Sequence, residues 1–181
     1  MPIWGWVAIG AGGVLLVAAA AIGSVLGWRA VERRYLLRLV SRREAIDAVR
    51  QALDDVVMRL AEGSDETLTH FAEDPDALER RALHEVTSRA AILADELDGM
   101  PLPKKLIPAA DLLGDAAYAI ALEAGKVTDE QVGDAAFAAL GSINLTTIAG
   151  TYAAATRGVQ NACELCGLEE DAAVYGGGLY L

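Results

Sequence analysis

The chain has 181 residues, a net charge of −11 and only two cysteines. Setting aside an apolar N-terminal segment leaves about 150 residues, one ordinary domain that can bury a core without disulfides or metals. The acidic excess argues against nucleic acid as a partner, and the 6% aromatic content with abundant alanine favours helices over strands. A composition rich in alanine, arginine and aspartate but poor in lysine is typical of a bacterial genome of high GC content.

Residues 1–28 carry no charged side chain and predict a transmembrane helix. A bilayer core of about 30 Å needs about 20 such residues. Trp4 and Trp6 at one end and Trp28 at the other match the aromatic belts of the two membrane interfaces. A cleaved signal peptide would need a basic stretch before the apolar one. No lysine or arginine precedes this segment, so we expect a retained anchor.

Residues 29–43 form a basic juxtamembrane segment with six arginines, among them Arg29, Arg33 and Arg34, and one glutamate. Because positive segments stay on the cytoplasmic side, we expect a single-pass protein of the cell membrane with its short N-terminus outside. The arginines would also contact anionic lipid headgroups. Residues 44–181 hold nine basic and 25 acidic residues, so the predicted cytoplasmic domain over residues 44–167 is acidic.

A stripe of small residues lies at four-residue spacing in the predicted anchor, at Ala19, Gly23 and Gly27. Such a stripe lets two helices approach closely in lipid and is a possible helix–helix contact. The alternative is that an anchor rich in alanine and glycine produces the pattern by chance.

The helix after the anchor shows a heptad pattern. Ser41 and Glu44 have the spacing of a capping box, so either a new helix begins there or one helix runs unbroken past a surface serine. The apolar positions then recur at spacings of three and four residues: Ile46, Val49, Leu53, Val56 and Leu60. Two heptads are too few for a free coiled coil, and the pattern predicts one amphipathic wall of a bundle.

Two shorter segments follow in the prediction, each with a helix-start signal. Gly63 ends the first helix, and Ser64 caps a short one that reaches Phe71. Asp74 and Pro75 have the form of an N-cap and first helical residue, and the helix from Pro75 should bury a set of apolar residues: Leu78, Ala82, Val86, Ala90, Leu93 and Leu97.

Gly99 ends that helix, and the prolines at 101 and 103 make a stiff connector. A further helix from Pro108 to Gly125 should bury Leu113, Ala117 and Ile120.

The last long segment is uncharged over residues 135–156. Thr128 and Gln131 predict a capping box that opens it. A second membrane span is one interpretation, but Asn144 and the many small residues favour a buried central helix, which Gly141 or Gly150 could bend or break. Residues 168–181 form a tail with three consecutive glycines, whose apolar end either docks or frays.

Cys163 and Cys166 are the only motif with chemical promise. Their spacing suits a redox dithiol or half of a zinc site. A thioredoxin-type dithiol follows a strand at the start of a helix, whereas this pair lies near the end of one. The only histidines, His70 and His84, do not complete a ligand set. We therefore expect two buried structural cysteines, and the pair remains only a weak candidate for a metal or redox site.

The sequence contains neither a phosphate-binding loop nor a nucleophile elbow, so it nominates no catalytic residue and no cofactor. It predicts an all-α fold, with one N-terminal transmembrane helix followed by an antiparallel bundle of four or five helices. The leading functional hypothesis is a non-enzymatic interaction or scaffold subunit of a bacterial membrane-associated assembly, contacting membrane lipids and either a protein partner or further copies of itself. The alternatives are a redox- or metal-responsive membrane sensor using the cysteine pair, and a helical bundle that binds a small ligand or lipid.

Overall fold

The computed structural model describes the backbone of residues 4–167 and the side chains of residues 30–167. The fold is all-α, with about five helices packed as a bundle, which confirms the predicted class. The elements in chain order are α1 (Trp4–Ala61), α2 (Asp65–Glu73), α3 (Leu78–Asp98), α4 (Ile107–Ala124), α5 (Asp134–Gly141) and α6 (Leu145–Leu165). The side chains of residues 1–29 and the tail at 168–181 lie outside the described residues, so the anchor and tail predictions are untested.

Helix α1 runs unbroken through Ser41, which is exposed and caps nothing. The alternative of one continuous helix is therefore the correct one. The predicted heptad seam is also confirmed, because its five apolar residues are all buried. The seam extends towards the N-terminus through Leu36 and Leu39, which are fully covered. The interior of the bundle thus begins within the basic segment.

Helix α4 lies at the centre of the bundle, packed against α3, α6 and α1. It begins and ends where the sequence predicts, and the three residues expected to be buried are fully covered. Alanines occupy most of its other buried positions and let the neighbouring backbones approach. Helix α6 approaches α4 closely at Gly158, where an added Cβ would lie 2.7 Å from Leu112 Cδ1.

The predicted start of α3 at Pro75 is wrong, because the helix begins at Leu78. The Asp74 carboxylate accepts from the Asp76 N–H at 2.9 Å, so it closes a local turn instead of capping a helix. Leu78 is then 58% exposed, against the prediction, and the first turns of α3 bury Arg80 and Leu83 instead. Further along, Gly99 ends α3 as predicted.

The expected buried helix over residues 135–156 is also wrong. Gly141 is the last residue of α5, and Asn144 caps α6 by accepting from the Thr147 N–H at 3.0 Å. Most of the stretch is exposed, and its buried residues are few: Ala136, Ala139, Ile148 and Ala155. Small and hydroxylated side chains are uncharged without being apolar enough to need a core position.

The predicted capping box after α4 forms only in part. The Gln131 side chain accepts from the Thr128 N–H at 3.0 Å, yet the next helix begins only at Asp134. Among residues 30–167, no helix combines the length and the apolar character that crossing a membrane requires.

Candidate functional site

An open groove of about 550 Å³ runs between α1 and α3. Its floor consists of Val49 and Val56 from α1 and of Val86 and Leu93 from α3, all of them buried. Val49 and Val56 belong to the heptad seam of α1, and Val86 and Leu93 belong to the buried face of α3. The groove is therefore the outer side of a packed helix pair, and its floor is apolar.

The walls of the groove repeat at helical spacing on both sides. The lining positions on α1 are Ala45, Ala48, Ala52, Asp55 and Arg59, and those on α3 are Ala82, Glu85, Arg89, Ile92 and Glu96. Each set advances by three or four residues, so each forms one continuous stripe along its helix. The alanines on α1 keep that wall low, while Ile92 stands 54% exposed on the other. Two such parallel stripes offer a seat for a third helix.

Ion pairs frame the groove. The Arg42 guanidinium contacts the Glu96 carboxylate at 2.6 Å. This ion pair joins α1 to the C-terminal end of α3 and closes one end of the groove. On α3, Arg89 contacts Glu85 at 2.5 Å, one helical turn away. These groups are well exposed, so each pair contributes at most about 1 kcal/mol. The groove thus offers shape and apolar surface with mixed charge at its edges, which suits binding more than acid–base chemistry.

The two cysteines occupy different environments near the end of α6. Cys163 is buried and Cys166 is half-buried, and both are thiols. Burial raises the pKa of the Cys166 thiol, the nearby Glu32 carboxylate raises it further, and Lys105 partly opposes them. A reactive thiol needs the opposite shift, because the thiolate is the nucleophile and the metal ligand. The geometry supports structural roles for both residues.

The histidines lie on the surface, as expected for solvated side chains. His84 is exposed, and His70 is also exposed, with its Nε2 3.3 Å from the Asp74 carboxylate one turn away. Among residues 30–167, no group of three or more His, Cys, Asp or Glu side chains is placed to hold a metal ion.

A buried arginine on α3, which was not predicted from the sequence, joins the end of α2 to the loop after α4. The Arg80 side chain is 3% exposed and donates to four backbone carbonyls. Its Nε bonds Phe71 O at 2.6 Å and its Nη1 bonds Thr128 O at 3.1 Å, while its Nη2 bonds both Ala72 O at 3.3 Å and Gln131 O at 2.6 Å. We call this arrangement the Arg80 clasp. Its partners are main-chain groups of the fold itself, so it is structural.

A second buried polar group ties α4 to the turn before α6. Glu123 is 7% exposed, and its Oε2 accepts from Lys126 Nζ and from the Asn144 N–H, both at 2.6 Å. Lys126 Nζ also donates to Ser142 O at 2.9 Å. The bond to Lys126, foremost, and the bond from Asn144 lower the pKa of Glu123, against the opposing effect of burial. The carboxylate is thus held ionised as a structural acceptor.

The structure describes the side chains of only some of the predicted membrane residues. Arg33 and Arg34 are exposed on α1. The side chains of Trp4, Trp6, Trp28 and Arg29, and the stripe of Ala19, Gly23 and Gly27, lie outside the described side chains. The groove itself was not predicted, although its alanine spacing was visible in the sequence.

No family model, no curated protein and no solved structure matches the chain.

Proposed function

We propose that the protein is a single-pass, non-enzymatic interaction subunit of a bacterial membrane-associated assembly, with residues 1–28 as its anchor and the helical body in the cytoplasm. The groove between α1 and α3 is the observation that carries this proposal, because it is open, has an apolar floor and is lined by two stripes at helical spacing. Surfaces of that form bind the apolar face of a helix.

The continuity of α1 supports a direct link between anchor and body. The helix extends from Trp4 to Ala61, so the predicted anchor and one wall of the groove belong to a single element. About 30 residues of helix beyond the anchor span about 50 Å. The groove would then be held at a set height and direction relative to the membrane.

The occupant we propose for the groove is α1 of a second copy. Gly27 and Ala45 are separated by a whole number of turns, about five at 3.6 residues per turn, so the anchor stripe and the groove alanines follow the same side of α1. A parallel neighbour could therefore pack closely along both stretches. Between them the same side passes two exposed arginines, Arg34 and Arg38. Anionic headgroups would offset the charge of Arg34, which is nearer to the anchor.

Replacing Ala52 with tryptophan is expected to weaken the dimer of the full chain by ten- to a hundredfold. Ala52 is exposed in the single chain, so the larger side chain should cost little folding stability. In the dimer it would fill the part of the groove that the second helix needs. Light scattering in mild detergent, together with fluorescence energy transfer between labelled copies in lipid nanodiscs, measures the dissociation constant.

Met58→Trp is the matched control, because Met58 is 55% exposed on α1 but does not line the groove. It should leave dimerisation unchanged. Circular dichroism checks that both variants keep the helical content of the parent chain. A full chain that stays monomeric at tens of micromolar, or a dimer that Ala52→Trp and Met58→Trp weaken equally, would rule out the groove as the contact between copies.

A further inference from the structure

Three segments distant in sequence meet at the end of the bundle where α1 enters it. The Lys105 ammonium, in the connector between α3 and α4, lies 3.3 Å from the Glu32 carboxylate on α1. A cleft of about 510 Å³ brings these two together with Arg33 and with Leu165 and Cys166 at the end of α6. We call this end the basal surface.

The basal surface is more basic than the rest of the acidic body. Two of the three lysines in the chain, Lys104 and Lys105, are in this connector, and both are exposed, as are Arg33 and Arg34. Glu32 is largely covered beside Lys105. Asp98 at the end of α3 and Glu164 near the end of α6 are two further acids at this end. The four named basic groups thus exceed the three named acids by one charge.

The opposite end of the bundle is strongly acidic. It comprises the end of α1, α2, the loop before α3 and the loop after α4. The Arg80 clasp joins α2 to the loop after α4. Its acidic residues are Glu62, Asp65, Glu66, Glu73, Asp74, Asp76, Asp129, Glu130 and Asp134. The body therefore carries a charge asymmetry along the axis of α1.

Large apolar side chains are exposed among the basal charges. Val31 on α1 is 49% exposed, Ile107 at the start of α4 is 42% exposed and Leu165 at the end of α6 is 69% exposed. Basic groups interspersed with exposed apolar side chains are the composition that binds the interface of an anionic bilayer.

We propose that the basal surface is a second membrane contact, in which the Lys104–Lys105 connector binds anionic lipid headgroups beside the anchor. This rests on the proposed anchor. Trp28 would lie at the headgroup level, and Glu32 is about 6 Å further along the helix. Lys105, 3.3 Å from Glu32, is then within about one Debye length of the lipid charges. The contact fixes the tilt of the body, with the acidic end directed away from the membrane.

The test uses the full chain reconstituted into vesicles of phosphatidylcholine, with or without about 30% phosphatidylglycerol. A fluorophore on Pro101→Cys, in a Cys166→Ser background, reports contact through quenching by brominated lipid. We expect stronger quenching in the anionic vesicles. The double substitution Lys104→Gln and Lys105→Gln should reduce the docked fraction on the order of tenfold, as should high salt. A fluorophore on Met58→Cys, far along α1, should be unquenched in both.

Arg81→Gln is the control substitution, since it removes one exposed positive charge near the start of α3. Flotation with the neutral vesicles tests the anchor alone, so loss of flotation would refute the anchor and not the basal contact. Equal quenching in the two vesicle types, or quenching unaffected by the lysine substitutions, would overturn the basal contact. Docking seen only in a chain that ends at Gly167 would also overturn it, in favour of the acidic tail residues Glu169, Glu170 and Asp171 occupying the surface.

Discussion

Replacing Arg80 with methionine is expected to lower the free energy of unfolding of the body by about 3–5 kcal/mol. Methionine fills much of the same space but donates no hydrogen bond, so the carbonyls of Phe71, Ala72, Thr128 and Gln131 lose their shared donor. The ring of Phe71 also loses the guanidinium that lies 5.2 Å from its centroid. The end of α2 and the loop after α4 should then separate before the rest of the bundle unfolds.

Thermal unfolding of the full chain in mild detergent, followed by circular dichroism, measures the loss. Arg81→Met is the matched control, because Arg81 is the adjacent residue and is exposed, so its substitution should change stability by less than about 0.5 kcal/mol. Arg80→Lys keeps the charge but cannot reach four carbonyls at once, and it should fall between the two. Equal midpoints for Arg80→Met and Arg81→Met would show that the clasp contributes little.

Replacing Glu123 with alanine is expected to cost about 2–4 kcal/mol. The change removes the acceptor of the Asn144 N–H and leaves Lys126 bonded only to Ser142 among the contacts described here. Lys126 is 34% exposed, so water screens part of the charge interaction and the cost lies below that of a fully buried pair. The turn between α5 and α6 should lose its order first, because Glu123 is its link to α4.

The same carboxylate predicts how stability depends on pH. The pKa of Glu123 is lower in the folded chain, so its contribution is complete above the unfolded pKa, about 4.3, and is lost as pH falls through the folded value. Melting temperatures between pH 3 and pH 7 should therefore show a larger acid loss for the parent than for Glu123→Gln. Glu130→Gln, at an exposed position, should follow the parent. Parallel profiles for the parent and Glu123→Gln below pH 4.5 would contradict the assignment.

Local patterns in the sequence predicted the helices better than the loops. The heptad spacing identified the buried face of α1, and Ser64 accepts from the Thr67 N–H as a helix cap should. The turn at Asp74 could not be read in the same way, because an aspartate before proline suits both a helix cap and a local turn. The difference lies in which N–H the carboxylate reaches, and tertiary packing decides that.

The buried polar groups were beyond prediction for a different reason. Arg80 reaches carbonyls 48 and 51 residues away, and Glu123 bonds an amide 21 residues away, so neither arrangement leaves a local pattern. Arg80 lies three residues before the buried Leu83, on the inward side of α3, but the burial of Leu83 was itself not among the predictions.

The groove could not be predicted from the composition of α1. Ala45, Ala48 and Ala52 resemble ordinary helix-favouring surface residues, and only the position of α3 beside them turns the stripe into a wall. The lysines of the connector were likewise visible, but their nearness to the basic segment follows from the fold.

The unbroken length of α1 has a mechanical consequence. A continuous helix transmits rotation about its own axis, so turning the N-terminal segment turns the groove with it. Inserting one residue near position 30 would rotate the body by about 100° relative to the segment before it, and inserting seven would nearly restore the original direction. The number of residues between the two stripes would then set the rotation of the body relative to the N-terminal segment. Changing that number near position 30 would leave the described contacts within the bundle intact.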